Sequence, residues 1–281
     1  MKKLVCFLLL CFFLFQTAIC ESVNPDDTQE LSLLAINVGK ADCLLLRSGE
    51  TAYLIDTGTK KTADQVLEVL NACGVDHLNG IILTHTHADH AGGLKKIIES
   101  NLPVDAIYAP SFYVLKKEDG KHPIEKALKK TEMRVIWLNA GDEIPLDEGH
   151  LQVLGPVEKN EIENNNSLVL LAEGGGGSML LTGDMEFPEE QTLLQRGLLH
   201  HVDVLKIGNH GEGDATSEAL IAETTPSLAI ISTNTEEEPD TPDPRVMKLL
   251  NQYQISVAQT QETNTGVLIT IKDGQVLTEY K

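Results

Sequence analysis

From position 31 onward the chain alternates short apolar runs with polar or glycine-bearing breaks, and the period of each run decides what it predicts. LSLLAINV, CLLLR and TAYLID, crowded into 31 to 56, read as paired strands. At about 62 to 72 the period lengthens: Val66, Leu67, Val69 and Leu70 mark the apolar side of a helix that Gly74 stops. The strand IILT follows, then a helix after AGGL, the strand VDAIYA, a helix around 122 to 131 and the strand RVIWL. Strands alternating with helices signify βα layers.

The second half repeats the scheme. LQVLG, SLVLLAE and SMLLTG read as strands, and 188 to 196 as a helix with Pro188 in its first turn. Then come VDVLKI, a helix near 216 to 224, LAIIS, a helix from about 243 and the final strands ISVAQ and GVLITI. GGGG at 174 to 177 joins two strands as a permissive hairpin turn; it lacks the Lys-Ser/Thr and the following helix of a phosphate loop. Each half holds one strand that runs into a histidine-bearing loop, IILTHTHADH and VLKIGNHGEGD. Packed sheet against sheet, two such halves make a four-layer α/β body, an αββα sandwich whose histidine loops meet at one edge.

The N-terminus adds a separate expectation. Lys2 and Lys3 followed by an apolar stretch from Leu4 to Phe15 read as a secretory signal over 1 to 20, which makes the mature protein exported. Cys20 is either the lipidated cysteine of a membrane-anchored lipoprotein or part of an ordinary cleavage site, although Ile19 is bulky for the former. Residues 21 to 30 form an acidic linker, and 31 to 281 one domain. Cys43 and Cys73 read as buried thiols rather than a disulfide framework. A length of 281 residues with 42% hydrophobic composition is ample for one large core. The formal net charge of −20 becomes still more negative without the leader's lysines. Such a surface repels polyanions, so a nucleic acid partner needs a local basic patch or divalent cations to offset the field.

Chemistry concentrates between 85 and 90, where three of the chain's nine histidines and an aspartate follow directly on an apolar strand. His85, His87, Asp89 and His90 cannot all hold one ion from a regular strand, because alternate side chains point to opposite faces. In a loop, His85 and His87 can converge on one metal while Asp89 and His90 turn toward a second, with Gly92 and Gly93 letting backbone pack closely behind. Imidazole suits zinc, iron or nickel, and carboxylate oxygen favours manganese as well.

These segments resemble the metallo-β-lactamase fold family, and within it the soluble hydrolase-like domain attached to the competence DNA-uptake protein ComEC. The resemblance spans about 31 to 272 and is carried by INVGKADCLLL, LIDTG, LTHTHADHAGGL, NNNSLVLL, LLTGDME, DVLKIGNHG and TPDPRVMKLL. It implies two divalent ions, Zn2+ or Mn2+: His85 and His87 on the first, Asp89 and His90 on the second, Asp184 bridging, and His210 as a further ligand. It also implies that Asp56 orients a ligand histidine or its loop, and that Asp89 positions the attacking water. The implied substrate is a phosphodiester, DNA or a nucleotide.

The departures from that family's pattern are specific. Asn37 and Lys40 stand where relatives carry aspartate and glutamine, Asn209 and Glu212 where they carry histidine and serine, and Thr241 where they carry a histidine. Asn166 stands where many metallo-β-lactamase-fold enzymes carry another histidine, although the competence-type relatives often have asparagine there. The expectation is a second metal position that has lost a ligand and is weak or empty. Two other functions therefore stay open: a single-metal or non-catalytic binding protein that keeps the fold, and a lactam hydrolase. Bland readings also stand, with Asp184 as a helix cap, Asp56 as a turn residue and Lys206 as either a phosphate contact or a strand-edge lysine. His77, His122, His150, His200 and His201 have no partner pattern, and no protein partner is inferable.

Overall fold

The computed structural model describes residues 30–113 and 123–281; the expected leader, Cys20, nearly all of the linker and His122 lie outside the described residues. The first half supplies strands β1 (Glu30–Ile36), β2 (Leu44–Ser48), β3 (Thr51–Ile55), β4 (Gly80–Ile82), β5 (Ala106–Pro110) and β6 (Arg134–Leu138), with helices α1 (Ala63–Ala72), α2 (Leu94–Ile98) and α3 (Pro123–Leu128). The second half supplies β7 (Glu143–Ile144), β8 (His150–Gly155), β9 (Val169–Gly174), β10 (Gly177–Leu181), β11 (Val204–Lys206), β12 (Leu228–Ile231) and β13 (Ser256–Gln259), with α4 (Phe187–Gln195), α5 (Glu218–Thr224) and α6 (Pro244–Gln252). Two closing strands, β14 (Gly266–Lys272) and β15 (Gln275–Tyr280), complete the chain.

One sheet has eight strands in the order β15-β14-β1-β2-β3-β4-β5-β6, the other seven in the order β13-β12-β11-β10-β9-β8-β7. Each half follows one plan. In the first, β1 to β3 pair antiparallel and β3 to β6 parallel. In the second, β7 to β10 pair antiparallel and β10 to β13 parallel. Thus β3 corresponds to β10, and β4 to β11.

Side-chain alternation sorts the apolar runs into layers. Leu31, Leu33 and Ala35 of β1 join Leu170 and Ala172 of β9 and Met179 and Leu181 of β10 in a core between the sheets. Leu34 and Ile36, pointing the other way, pack with Val66, Leu70 and Ile97 beneath α1 and α2. On the far sheet Leu171, Leu180 and Leu205 pack with Leu193, Leu220, Val246 and Leu250 beneath α4, α5 and α6. Because the central strands of each sheet are covered on both faces, they read as continuous aliphatic runs. The four expected layers are present. Cys43 and Cys73 are both buried, as expected.

The glycine hairpin between β9 and β10 turns at Gly175 and Gly176, both at positive φ (61° and 83°), as a two-residue turn demands. One expectation differs in detail. GVLITI follows the second half in sequence, yet β14 crosses back to pair with β1, placing Ile269 opposite Leu33. Pairing buries Val267, Ile269 and Ile271 between the sheets, which the outer edge of β13 does not offer. Strands β7 and β15 were not legible, the first being only two residues long and the second a largely polar edge strand. Among the described residues no helix is long and apolar enough to cross a membrane.

Candidate metal centre

The site lies where four strands end. Asp56 follows β3 and the histidine loop follows β4; Asp184 follows the corresponding β10, and His210 the corresponding β11. Two aspartates and two histidine-bearing segments from matched positions of the halves therefore meet at one edge of the sandwich. The histidine loop is clamped by its own backbone: Thr57 N and Oγ1 donate to His90 O at 2.6 and 2.7 Å, and Asp42 N donates to Asp89 O at 3.2 Å. Gly92 is required there, since a Cβ would lie 2.1 Å from the Ala88 carbonyl oxygen. Asp56, Asn209 and His210 all adopt positive φ, backbone strain of the kind that rigid surroundings hold at working sites.

All six residues expected to hold metal come together. Asp89, His90, Asp184 and His210 offer ligand atoms lying within 4.8 Å of one another, and His85, His87 and Asp184 form a second such group. Asp184 belongs to both. Its Oδ2 is 3.1 Å from His90 Nε2 and 3.7 Å from His85 Nε2, while its Oδ1 is 3.6 Å from His210 Nε2. His210 Nε2 also lies 3.5 Å from Asp89 Oδ2.

The other ring nitrogens are occupied, and that fixes which ones face inward. His90 Nδ1 is 2.8 Å from Asp56 Oδ2, His210 Nδ1 is 2.9 Å from the Ser232 carbonyl, and His85 Nδ1 is 3.2 Å from Thr84 Oγ1. Asp56 is in turn held by Thr84, whose N and Oγ1 donate to its two oxygens at 2.8 and 2.6 Å. Four inward atoms, His85 Nε2, His90 Nε2, His210 Nε2 and Asp184 Oδ1, are buried without a hydrogen-bond partner. Leaving such groups unmatched is costly, and convergent imidazole nitrogens around a shared carboxylate are the donor set of a divalent cation. The residues fit the group.

Electrostatics agree. Burial would raise the Asp184 carboxyl, but His90 and His210 hold it well below the ordinary range. Burial would likewise raise Asp89, and His210 and His90 bring it down to about 2. His90 and His210 are pushed down by burial and more than restored by Asp184, so both stand above the ordinary imidazole value. His85 is the exception, lowered by burial and by the neighbouring His90 to about 3. Asp56, driven by burial against the pull of His90, is raised.

The departures from the family pattern fall into place unevenly. Lys40 and Glu212, both substitutions, face each other at the mouth with Nζ 2.6 Å from Oε1. Asn209 donates to Asp214 at 3.0 Å, and Asn37 to the Thr263 carbonyl at 2.7 Å, so both serve loop structure. Asn166 spends its amide on Asn160 and Ile162, shaping the turn before β9. Thr241 is buried, donates to the Glu238 carbonyl at 3.0 Å, and is in neither ligand group. One group offers three donor residues, His85, His87 and Asp184, and the other four, because His210 joins Asp89, His90 and Asp184.

Lys206 is neither a cleft contact nor a strand-edge residue. Its strand β11 is central, its side chain is fully buried, and its Nζ lies 2.8 Å from Asp42 Oδ2. Asp42, which sequence reasoning gave no role, also groups with Asp56 and His90. His77, His150, His200 and His201 lie on the surface or partly exposed, away from the site.

This layered fold, with its ligand groups at one sheet edge, matches a model of the metallo-beta-lactamase superfamily over residues 36–232, and the chain belongs to that superfamily. Among its relatives, ComE operon protein 3 of Bacillus subtilis is 31% identical over 71% of this chain and 26% of that protein. Recombination protein 2 of Haemophilus influenzae is 30% identical over 90% of this chain and 30% of that protein. The chain thus spans less than a third of the curated relatives it matches. Among solved structures, the metallo-beta-lactamase fold protein YhfI from Bacillus subtilis superposes with a TM-score of 0.56 at 14% identity, covering 86% of this chain and 99% of that one. Zn(2+)-bound PqqB from Methylobacterium extorquens superposes with a TM-score of 0.53 at 12% identity, covering 81% and 86%. Superfamily, relatives and ligand groups together support a metal-dependent hydrolase.

Proposed function

We propose that the chain is an exported metal-dependent phosphodiesterase acting on DNA or a nucleotide. The observation that carries the reading is the pair of ligand groups sharing Asp184, with His85, His87 and Asp184 on one side and Asp89, His90, Asp184 and His210 on the other. Two divalent cations, zinc or manganese, would there supply Lewis-acid charge to a phosphoryl oxygen and lower the pKa of an attacking water. The protein's part is positional. Asp89 is 35% exposed and ionised at any working pH, so it can accept a hydrogen bond from the attacking water and orient it. Asp56 and Ser232 hold the imidazoles of His90 and His210 in one tautomer, with Nε2 inward. Bound cations also offset the strongly acidic field that otherwise repels a polyanion. The substrate class is supported by relatives named for competence and recombination.

Purified protein equilibrated with zinc or manganese should cleave bis(p-nitrophenyl) phosphate and a short DNA oligonucleotide, leave a chromogenic lactam intact, and lose its activity with His87→Ala. Turnover of the lactam alone, or equal phosphodiester turnover by the mutant, refutes the assignment. The three-donor first group favours one rival, a single-metal binding protein, which would hold about one ion per chain rather than two.

A further inference from the structure

The histidine segment reads Thr84-His85-Thr86-His87, and each of its two threonines donates to a carboxylate that lies beside a histidine of the site. Thr84 Oγ1 donates to Asp56 Oδ2, and that oxygen backs His90 Nδ1 at 2.8 Å. Thr86 Oγ1 donates to Glu163 Oε1, and the other oxygen of Glu163 lies 3.4 Å from His87 Nε2. Glu163 heads the single turn Glu163–Asn166, which Asn166 and Asn160 tie together. Tyr113 lies against the same carboxylate, its hydroxyl pushed up by burial and then by Glu163. Glu163 does not fall within the ligand group of His85, His87 and Asp184, so it stands behind the His87 ring rather than among the donors.

We infer that Glu163 is the positioning residue of the first metal position. It accepts the Nε2 proton of His87, fixes the tautomer and turns Nδ1 toward the ion shared with His85 and Asp184. This rests on the metal reading above. A carboxylate behind a ligand imidazole is usual at metal sites, where it raises ligand basicity and orients the ring. The need is greater here than at His90, because His87 is 44% exposed, with its ring edge-on to that of His85 at 4.6 Å, whereas His90 is fully buried. It is also the position with fewer donors.

Zinc titration by calorimetry, with metal content after dialysis, tests the assignment without relying on turnover. Wild-type protein should hold two ions. Glu163→Gln, which keeps size and an acceptor oxygen but removes the charge, should weaken one ion roughly 10-fold to 100-fold and leave the other unchanged. Glu163→Ala should lower the tightly held content from two ions toward one, and Thr86→Val should shift the same ion by less. In Co2+-loaded protein driven to saturation, the visible absorption band of Glu163→Gln should match wild type, since the atoms touching the ion are the same. Wild-type affinities for both ions in Glu163→Gln overturn the inference, as does equal loss of both. A changed cobalt band at saturation overturns it too, by making Glu163 a direct ligand. Two ions in wild type with the selective loss in the variant, but no phosphodiester cleavage, sinks the substrate reading and leaves this inference standing.

Discussion

Asp56 and Glu163 each lie beside a histidine of one loop and each accept a threonine hydroxyl from it, but their surroundings differ. Asp56 is 1% exposed, at the end of β3, with both oxygens taken by Thr84 and His90. Glu163 is 37% exposed, on a one-turn helix, 3.4 Å from its histidine. The His90 side is therefore set before any ion arrives. The His87 side is looser, with a longer contact to its carboxylate and more of the ring exposed. His90 and Asp56 belong to the buried part of the site, whereas His87 and Glu163 lie on its partly exposed rim.

Asp184 is the feature common to both halves, so Asp184→Asn should have the largest effect, reducing metal content from two ions to none and phosphodiester turnover by roughly 10³-fold or more. Retention of one ion would show the halves to be independent. Asp56→Asn should come next, because it leaves a buried histidine facing one carboxylate fewer. Its expected cost is about 3–5 kcal/mol of unfolding free energy in the metal-free protein, read from urea denaturation. Glu163→Gln, on the rim, should change the same quantity by less than about 0.5 kcal/mol. Equal destabilisation by the two would erase the distinction between core and rim.

A pH series sharpens the contrast further. In the metal-free protein His90 and His210 are raised by Asp184 against burial, so their attraction is fully present below the ordinary imidazole value and is lost as pH rises through the raised one. The metal-free fold should weaken with rising pH over that window. Metal loading at the second position should run the other way, falling as pH drops below the raised values, because the cation must displace those protons. His85, already down to about 3, adds no such dependence to the first position. Denaturation of stripped protein and zinc titration at pH 6 and pH 8 check both directions.

Nearly every element of both sheets could be read from aliphatic runs and glycine breaks, and four ligand candidates from H-x-H-x-D-H; Asp184 and His210 entered through the family resemblance. Glu163 could not. It sits in a polar stretch, 77 residues from Thr86, and neither its type nor its spacing sets it apart from other surface glutamates. The Lys206–Asp42 pair was hidden for a related reason: a lysine in a strand is ordinarily an edge residue, and only the order β10-β11-β12 makes this one central.

What the sequence determined by itself is the local chemistry: which runs are strands, which loop carries imidazoles, and which glycines let it pack. Those properties depend on neighbours along the chain, through side-chain alternation and backbone freedom. The tertiary structure alone decided which donors share Asp184, that one ligand group has three members and the other four, and that Asp56 and Glu163 lie beside different histidines. These are distances between groups far apart in sequence. They follow from the packing of two sheets and the return of β14 to β1, which no local pattern specifies.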